Sequence, residues 1–224
     1  MGTWPSPITP LDELAFTFVD VETTGLDPGT GDRVCEIALL RVQGDHELAR
    51  FDSLVYPQRP MHHGALAVHG ITDAMLAGAP LFATLLPQIH ALLQDAVLVA
   101  HNARFDVGFL RHEWQLAGHT FPFLAVADTL ALAQARYRFR HNSLGAIAHE
   151  LGLPLTTLHR AMADVRLTWQ IWQRFVADMQ QEGPVTLAHV LYPNSRRPIE
   201  ELVAMVTALQ EAIPAGRTMQ VRYQ

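Results

Sequence analysis

The sequence predicts an α/β domain in which a five-stranded mixed sheet is flanked by helices. Three observations carry that expectation. Residues 14–21 and 34–42 are rich in β-branched and aromatic side chains, and residues 48–56 continue the pattern after Gln43-Gly44-Asp45, as in an antiparallel hairpin. Ala96-Val97-Leu98-Val99-Ala100 is a short, wholly apolar run of the kind buried in the middle of a sheet, and Asn102 behind it can cap a helix. Residues 161–179 place Val165, Leu167, Trp169, Ile171, Trp172, Phe175 and Val176 at amphipathic helical spacing. The opening is antiparallel in character, and the texture changes after it.

Taken in order, residues 1–12 read as a loose arm, 13–180 as the main domain and 181–224 as a C-terminal extension. Residues 25–32 are a turn-rich connection, and 57–70 form a loop with several histidines. Thr72 caps a short helix through Ala77. Residues 82–93 have helical spacing despite Pro87, and Asn102 opens a helix through Phe105, Phe109, Leu110 and Trp114 towards Gly118. Residues 123–126 supply the fifth strand, Asp128-Thr129 starts the next helix, and Ser143 caps another that Gly152 ends. In the extension, 192–198 reads as a linker, 200–213 as a helix and 216–223 as a strand.

Composition narrows the function classes. With 49% hydrophobic and 17% charged residues in 224, the chain can bury a sizeable core. A net charge of −6 argues against a duplex binder that works through a broad basic surface. It leaves room for an enzyme that meets nucleic acid through bound cations. The single cysteine, Cys35, excludes an internal disulfide and lies in an apolar strand, where a reactive role is not expected. The start, with Pro5, Pro7 and Pro10, lacks the basic and apolar parts of a signal peptide, and no run is long enough to span a bilayer. A cytoplasmic protein is the expectation.

Chemistry concentrates in a few carboxylates. In Phe16-Thr17-Phe18-Val19-Asp20-Val21-Glu22-Thr23-Thr24-Gly25, Asp20 and Glu22 stand two apart on a strand and therefore share one face. Like charges that close repel unless a cation or a proton lies between them. A polar strand edge running into a turn is the plainer reading of the pair alone. Asp106 and Asp164 each fall in the first turn of a helix, where complementing the helix dipole is reason enough for one acid. Each also follows a histidine-bearing loop, at His101 and at His159.

These segments resemble the DEDDh family of 3′–5′ exonucleases, and within it the epsilon-type proofreading subunits of bacterial DNA polymerase III. The resemblance covers about residues 14–178 and keeps family order. Phe18 to Gly25 matches the first motif, Val99 to Asp106 the second, and His159 with Asp164 five positions later the third. Val68-His69-Gly70-Ile71, Asp128-Thr129 and His141-Asn142-Ser143-Leu144 agree as landmarks.

The resemblance implies a ribonuclease H-like fold and an exonuclease domain over 13–180. It also implies two divalent ions, Mg²⁺ or Mn²⁺, as cofactors. Asp20 would bridge both, Glu22 and Asp164 would hold the ion carrying the nucleophilic water, and Asp106 would serve the second. His159 would be the general base. Two ions roughly 3.5–4 Å apart suit in-line phosphodiester hydrolysis, and hard cations prefer carboxylate oxygens. A zinc site joining His159 to His101 or His69 is the weaker alternative, because the neighbouring ligands are carboxylates.

Thr23, Leu26 and His69 correspond to substrate-contacting positions, with His69 equally readable as a loop-closing histidine. The implied partner is the 3′ end of single-stranded or frayed DNA, the product a nucleoside 5′-monophosphate, with no membrane and a polymerase partner left open. Gly64 stands where epsilon-type members carry a glutamate, which keeps an RNA exonuclease of the same family in view. A catalytically inactive nucleic-acid-binding or polymerase-scaffold module is the alternative from another class. Arg136-Tyr137-Arg138-Phe139-Arg140 is the basic and aromatic cluster that could guide a strand.

Overall fold

Strand β1 (Ala15–Thr23) lies in the middle of a five-stranded sheet of order β3-β2-β1-β4-β5. The computed structural model describes residues 5–122, 125–154 and 159–194, with positions 201, 204 and 208. β2 (Val34–Gln43) and β3 (His46–Leu54) pair antiparallel through the two-residue turn Gly44-Asp45, with Gly44 at a φ of 53°. β2 also pairs antiparallel with β1, whereas β4 (Val97–Ala100) and β5 (Val126–Asp128) continue the sheet in parallel. The expected mixed sheet is present. β3 starts and ends two residues earlier than the sequence pattern indicated, and forms the solvent-facing flank.

The helices are α1 (His63–His69), α2 (Asp73–Leu76), α3 (Phe82–Leu93), α4 (Ala103–Leu116), α5 (Thr129–Arg136), α6 (Leu144–Glu150), α7 (Ala161–Gln180) and α8 (Leu187–Leu191). Alternation along β1 divides the core. Phe16 and Phe18 face α7, where both rings meet Trp172. Val19 and Val21 face the opposite side, with Ile37, Leu39, Leu98, Phe109 and Trp114. Asp20 and Glu22 extend the α7-facing row beyond its apolar part. Pro87 lies on the exposed face of α3, away from the buried Leu85, Leu86 and Ile89.

Several expectations need correction. Residues 63–69, read as loop, form α1, because Gly70 at a φ of 69° closes the helix through its amide on the Leu66 carbonyl. The fifth strand runs to Asp128 instead of Val126, since Leu98, Val99 and Ala100 pair with Val126, Ala127 and Asp128; positions 123 and 124 lie outside the described residues. Residues 5–12 are not loose: Leu11 is buried, its amide donates to the Val185 carbonyl, and the Leu187 and Ala188 amides donate to Thr9 and Pro7. That contact orders α8, which the sequence reading left unassigned, and buries Leu187 and Val190. The expected helix at 200–213 and strand at 216–223 lie outside the described residues, as does the stretch 155–158 before His159. Among the described residues no helix is long and apolar enough to cross a membrane.

Candidate active site

β4 pairs with β1 only from Phe16 to Phe18 and stops at Ala100, so the upper half of β1 has no strand neighbour on that side. α4 begins there, and Asp106 in its first turn accepts the Val21 amide on Oδ1 at 3.1 Å. From the other direction the start of α7 delivers Asp164 and the preceding His159. Atoms of Glu22, His159 and Asp164 all come within 4.8 Å of one another. Asp20 stands next to this group, and its carboxyl is held well above the carboxylate range by burial first, then by the charges of Asp106, Glu22, Asp164 and Glu36. The fold thus gathers all four acids and the histidine at the carboxyl end of β1.

Backbone devices fix the two helices that contribute. Asn102 has a φ of 66°, and its amide and that of Ala103 donate to the two carboxylate oxygens of Asp128, at 3.0 and 3.1 Å. Asp128 Oδ1 also caps α5 through the Leu130 amide. One acid at the end of β5 therefore seats the helix that carries Asp106. His159 likewise lies in left-handed space at 63°, a conformation a non-glycine residue keeps only where its surroundings impose it. Its amide donates to Asp164 Oδ2 at 2.8 Å.

The other carboxylate oxygen of Asp164, Oδ1, is buried without a hydrogen-bond partner. An orphaned carboxylate oxygen facing further carboxylates fits a hard cation, which would satisfy it and cancel the repulsion. Burial raises the Asp164 carboxyl, opposed by the His159 amide and ring. Burial likewise raises Asp106, against the hydrogen bond from Val21 and its own amide. Glu22 is pushed up to about 7 by burial and by the charges of Asp164 and Glu36, with Arg160 working the other way.

These shifts fix the sign of a pH effect. The folded state holds its Glu22 proton up to about 7, whereas the unfolded chain releases it near the ordinary 4.5. Between those values the folded state binds more protons, so stability falls as pH rises. In chelator, the melting temperature is expected to drop by roughly 5 °C or more between about pH 5 and about pH 8. Saturating Mn²⁺ should remove most of that slope. A flat profile in chelator would mean that the acids are not crowded.

Other candidate residues are placed differently. Leu26 is 84% exposed at the tip of the loop after β1. That loop is tied down by Asp32, which accepts from the Asp27 amide and pairs with Arg59 at 2.9 Å. A side chain at Gly25 would collide with the Asp32 carboxylate. Thr23 is buried, and its hydroxyl donates to the Gly25 carbonyl.

His69 is also buried. Nδ1 accepts the Ile71 amide, so Nε2 carries the proton and donates to the Thr23 carbonyl at 3.2 Å. Both nitrogens are committed to the backbone at the end of β1, in keeping with the loop-closing reading. His101 is committed too, donating from Nε2 to the Asn142 carbonyl and accepting the Thr129 hydroxyl on Nδ1. Neither histidine has a nitrogen left for zinc. The cluster at 136–140 spends its rings in the core: Tyr137 stacks on Phe139 and Phe175, and its hydroxyl donates to Asp178.

Sequence reasoning passed over Glu36. It lies on β2 directly across from Glu22 and is buried. Its two oxygens accept Arg160 Nε and Nη2 at 2.7–3.2 Å, and Oε2 also accepts the Ala161 amide at 3.0 Å. The signal was available as one acid inside the otherwise apolar 34–40 run.

A family model described as Exonuclease, RNase_T, matches residues 17–172. A DNA polymerase III subunit epsilon-like protein of Rhodobacter capsulatus is 40% identical over 188 residues, which cover 82% of this chain but 27% of that protein. The DNA polymerase III subunit epsilon of Treponema pallidum is 32% identical over 202 residues, covering 88% of this chain and 92% of that one. Among solved structures, exonuclease X in complex with 5′ overhanging duplex DNA shares the fold, with a TM-score of 0.61 at 24% identity over 79% of this chain and 99% of that one. The matched span contains every acid brought together at the end of β1, and on these grounds the chain belongs to the DEDDh family of 3′–5′ exonucleases.

Proposed function

We propose that the chain hydrolyses single-stranded or frayed DNA from its 3′ end and releases nucleoside 5′-monophosphates. One observation carries the reading: Asp20, Glu22, Asp106 and Asp164 converge beside His159, and a buried Asp164 oxygen has no partner. The likeness to subunits named epsilon favours DNA over RNA.

Asp20, Glu22, Asp106 and Asp164 would together hold a pair of divalent cations. When bound, such a pair lowers the pKa of a water and neutralises charge on the leaving oxygen. The chain's own part is to hold the reactants. His159, exposed at the rim of the cluster, takes the proton from the water that attacks the last phosphodiester; the bond from phosphorus to the 3′ oxygen of the preceding nucleotide breaks, and that oxygen takes a proton from solvent to become the new 3′-hydroxyl. The His159 imidazole then returns its proton to solvent. Asp164 has a second task, since its Oδ2 fixes the His159 backbone. Leu26 supplies an apolar tip against the terminal bases, and the fixed Thr23 to Gly25 backbone lines the terminal nucleotide. His69 supports that backbone from beneath.

The test uses a 5′-labelled single-stranded DNA oligomer, a matched RNA and the purified chain with Mn²⁺ or Mg²⁺. The expected result is progressive shortening of the DNA from its 3′ end, mononucleotide release and complete arrest by EDTA. Faster loss of the RNA would transfer the activity to RNA. Binding of either oligomer without metal-dependent shortening would make the chain a scaffold.

A further inference from the structure

We propose that Glu36 and Arg160 form a clamp that positions His159 for proton transfer, a role that rests on the reading of His159 as general base. Arg160 follows His159 directly and is the N-cap residue of α7, yet its own side chain caps nothing. Instead it reaches across to β2, where Glu36 takes its guanidinium with Nε shared between both oxygens and Nη2 on Oε1. Glu36 Oε2 also accepts the Ala161 amide, the first of the helix. A carboxylate from the sheet thereby caps α7 from outside and grips the residue next to His159 at two points.

The clamp is tied to the cluster by the register of the sheet. Glu36 is the cross-strand partner of Glu22, so one pair of neighbouring positions sets both the Glu22 carboxylate and the anchor of the histidine. Residue 159 is then held from two sides, by Asp164 Oδ2 on its amide and by Glu36 through Arg160. A left-handed histidine needs such bracing to keep one orientation.

Stability alone is a poor reason for the pair. The Arg160 side chain is 48% exposed and that of Glu36 only 9%, and an ion pair that draws an acid out of water is weak evidence for a stabilising purpose. A buried acid that raises Asp20, Glu22 and Asp164 is a poor choice where an apolar side chain would fill the same strand position. Glu36 is not a fifth metal ligand, because both of its oxygens are already occupied by Arg160 and Ala161.

The experiment compares Arg160→Met, Arg160→Lys, the double variant Glu36→Gln with Arg160→Met, and His159→Ala on one single-stranded DNA substrate in Mn²⁺. Methionine keeps the stem and removes the guanidinium. The expected loss in kcat is roughly 10–100-fold, the scale of a displaced catalytic group. KM should stay within about twofold and the Mn²⁺ midpoint, read by thermal upshift, should not move. Lysine, which cannot make the forked contact, should recover part of the loss.

The double variant removes both charges and guards against a buried unpaired Glu36. It should show the same kcat loss with a melting temperature close to wild type. Wild-type kcat in either methionine-bearing protein overturns the clamp, as does a loss that follows the melting temperature or appears in KM. If His159→Ala is inactive while Arg160→Met is not, the clamp alone fails. If His159→Ala keeps full activity, the base assignment fails first.

Discussion

Asp20→Ala should lower turnover roughly 10⁴-fold or more, because it removes a carboxylate that feels Asp106, Glu22 and Asp164 together. Burial and the charges of Asp106, Glu22, Asp164 and Glu36 all raise its carboxyl, so holding it among those acids without a cation costs stability. The variant is expected to melt higher than wild type in chelator, since a buried repelling charge has gone, and to gain less from Mn²⁺. Opposite signs for activity and metal-free stability separate loss of a ligand from loss of the fold. The measurements are Mn²⁺-dependent release of mononucleotides and thermal denaturation with and without chelator. Cleavage near the wild-type rate would remove Asp20 from the reaction.

The second large effect is expected at His159. His159→Ala should reduce kcat by roughly 10²–10⁴-fold, the usual worth of a positioned general base, while four carboxylates remain to bind metal. The rate should also lose the limb of its pH dependence that reports deprotonation of the base. An unchanged profile would exclude the histidine. Backbone conformation complicates alanine, because position 159 has a φ of 63° and alanine is strained there. His159→Gly removes the side chain without that strain. Equal kcat losses in the two variants assign the effect to the imidazole.

Much of this arrangement was legible in the sequence, for identifiable reasons. The Phe16 to Glu22 segment announces both its strand and its acids, since period-two alternation continues from apolar into charged positions. Asp106 and Asp164, each readable alone as an acid complementing a helix dipole, became legible as site residues only through the order and spacing of the motifs that carry the family resemblance. What stayed hidden depends on contacts distant in sequence. Helix α1 contains Gly64 and the β-branched Val68, weak helix formers, and is held by Gly70 and by the His69 ring reaching Thr23. Glu36 and Arg160 are 124 positions apart, and no local spacing joins them. In the basic and aromatic run at 136–140 the rings of Tyr137 and Phe139 pack towards Phe175 on α7, a contact no local spacing announces, while the three arginines stay exposed.

The two helix starts that deliver Asp106 and Asp164 carry a further consequence. Each is closed by a carboxylate borrowed from a distant strand, Asp128 on the Asn102 and Ala103 amides and Glu36 on the Ala161 amide. A change at either borrowed acid would therefore shift a whole helix, and with it the clustered acid that the helix carries, without touching the cluster itself.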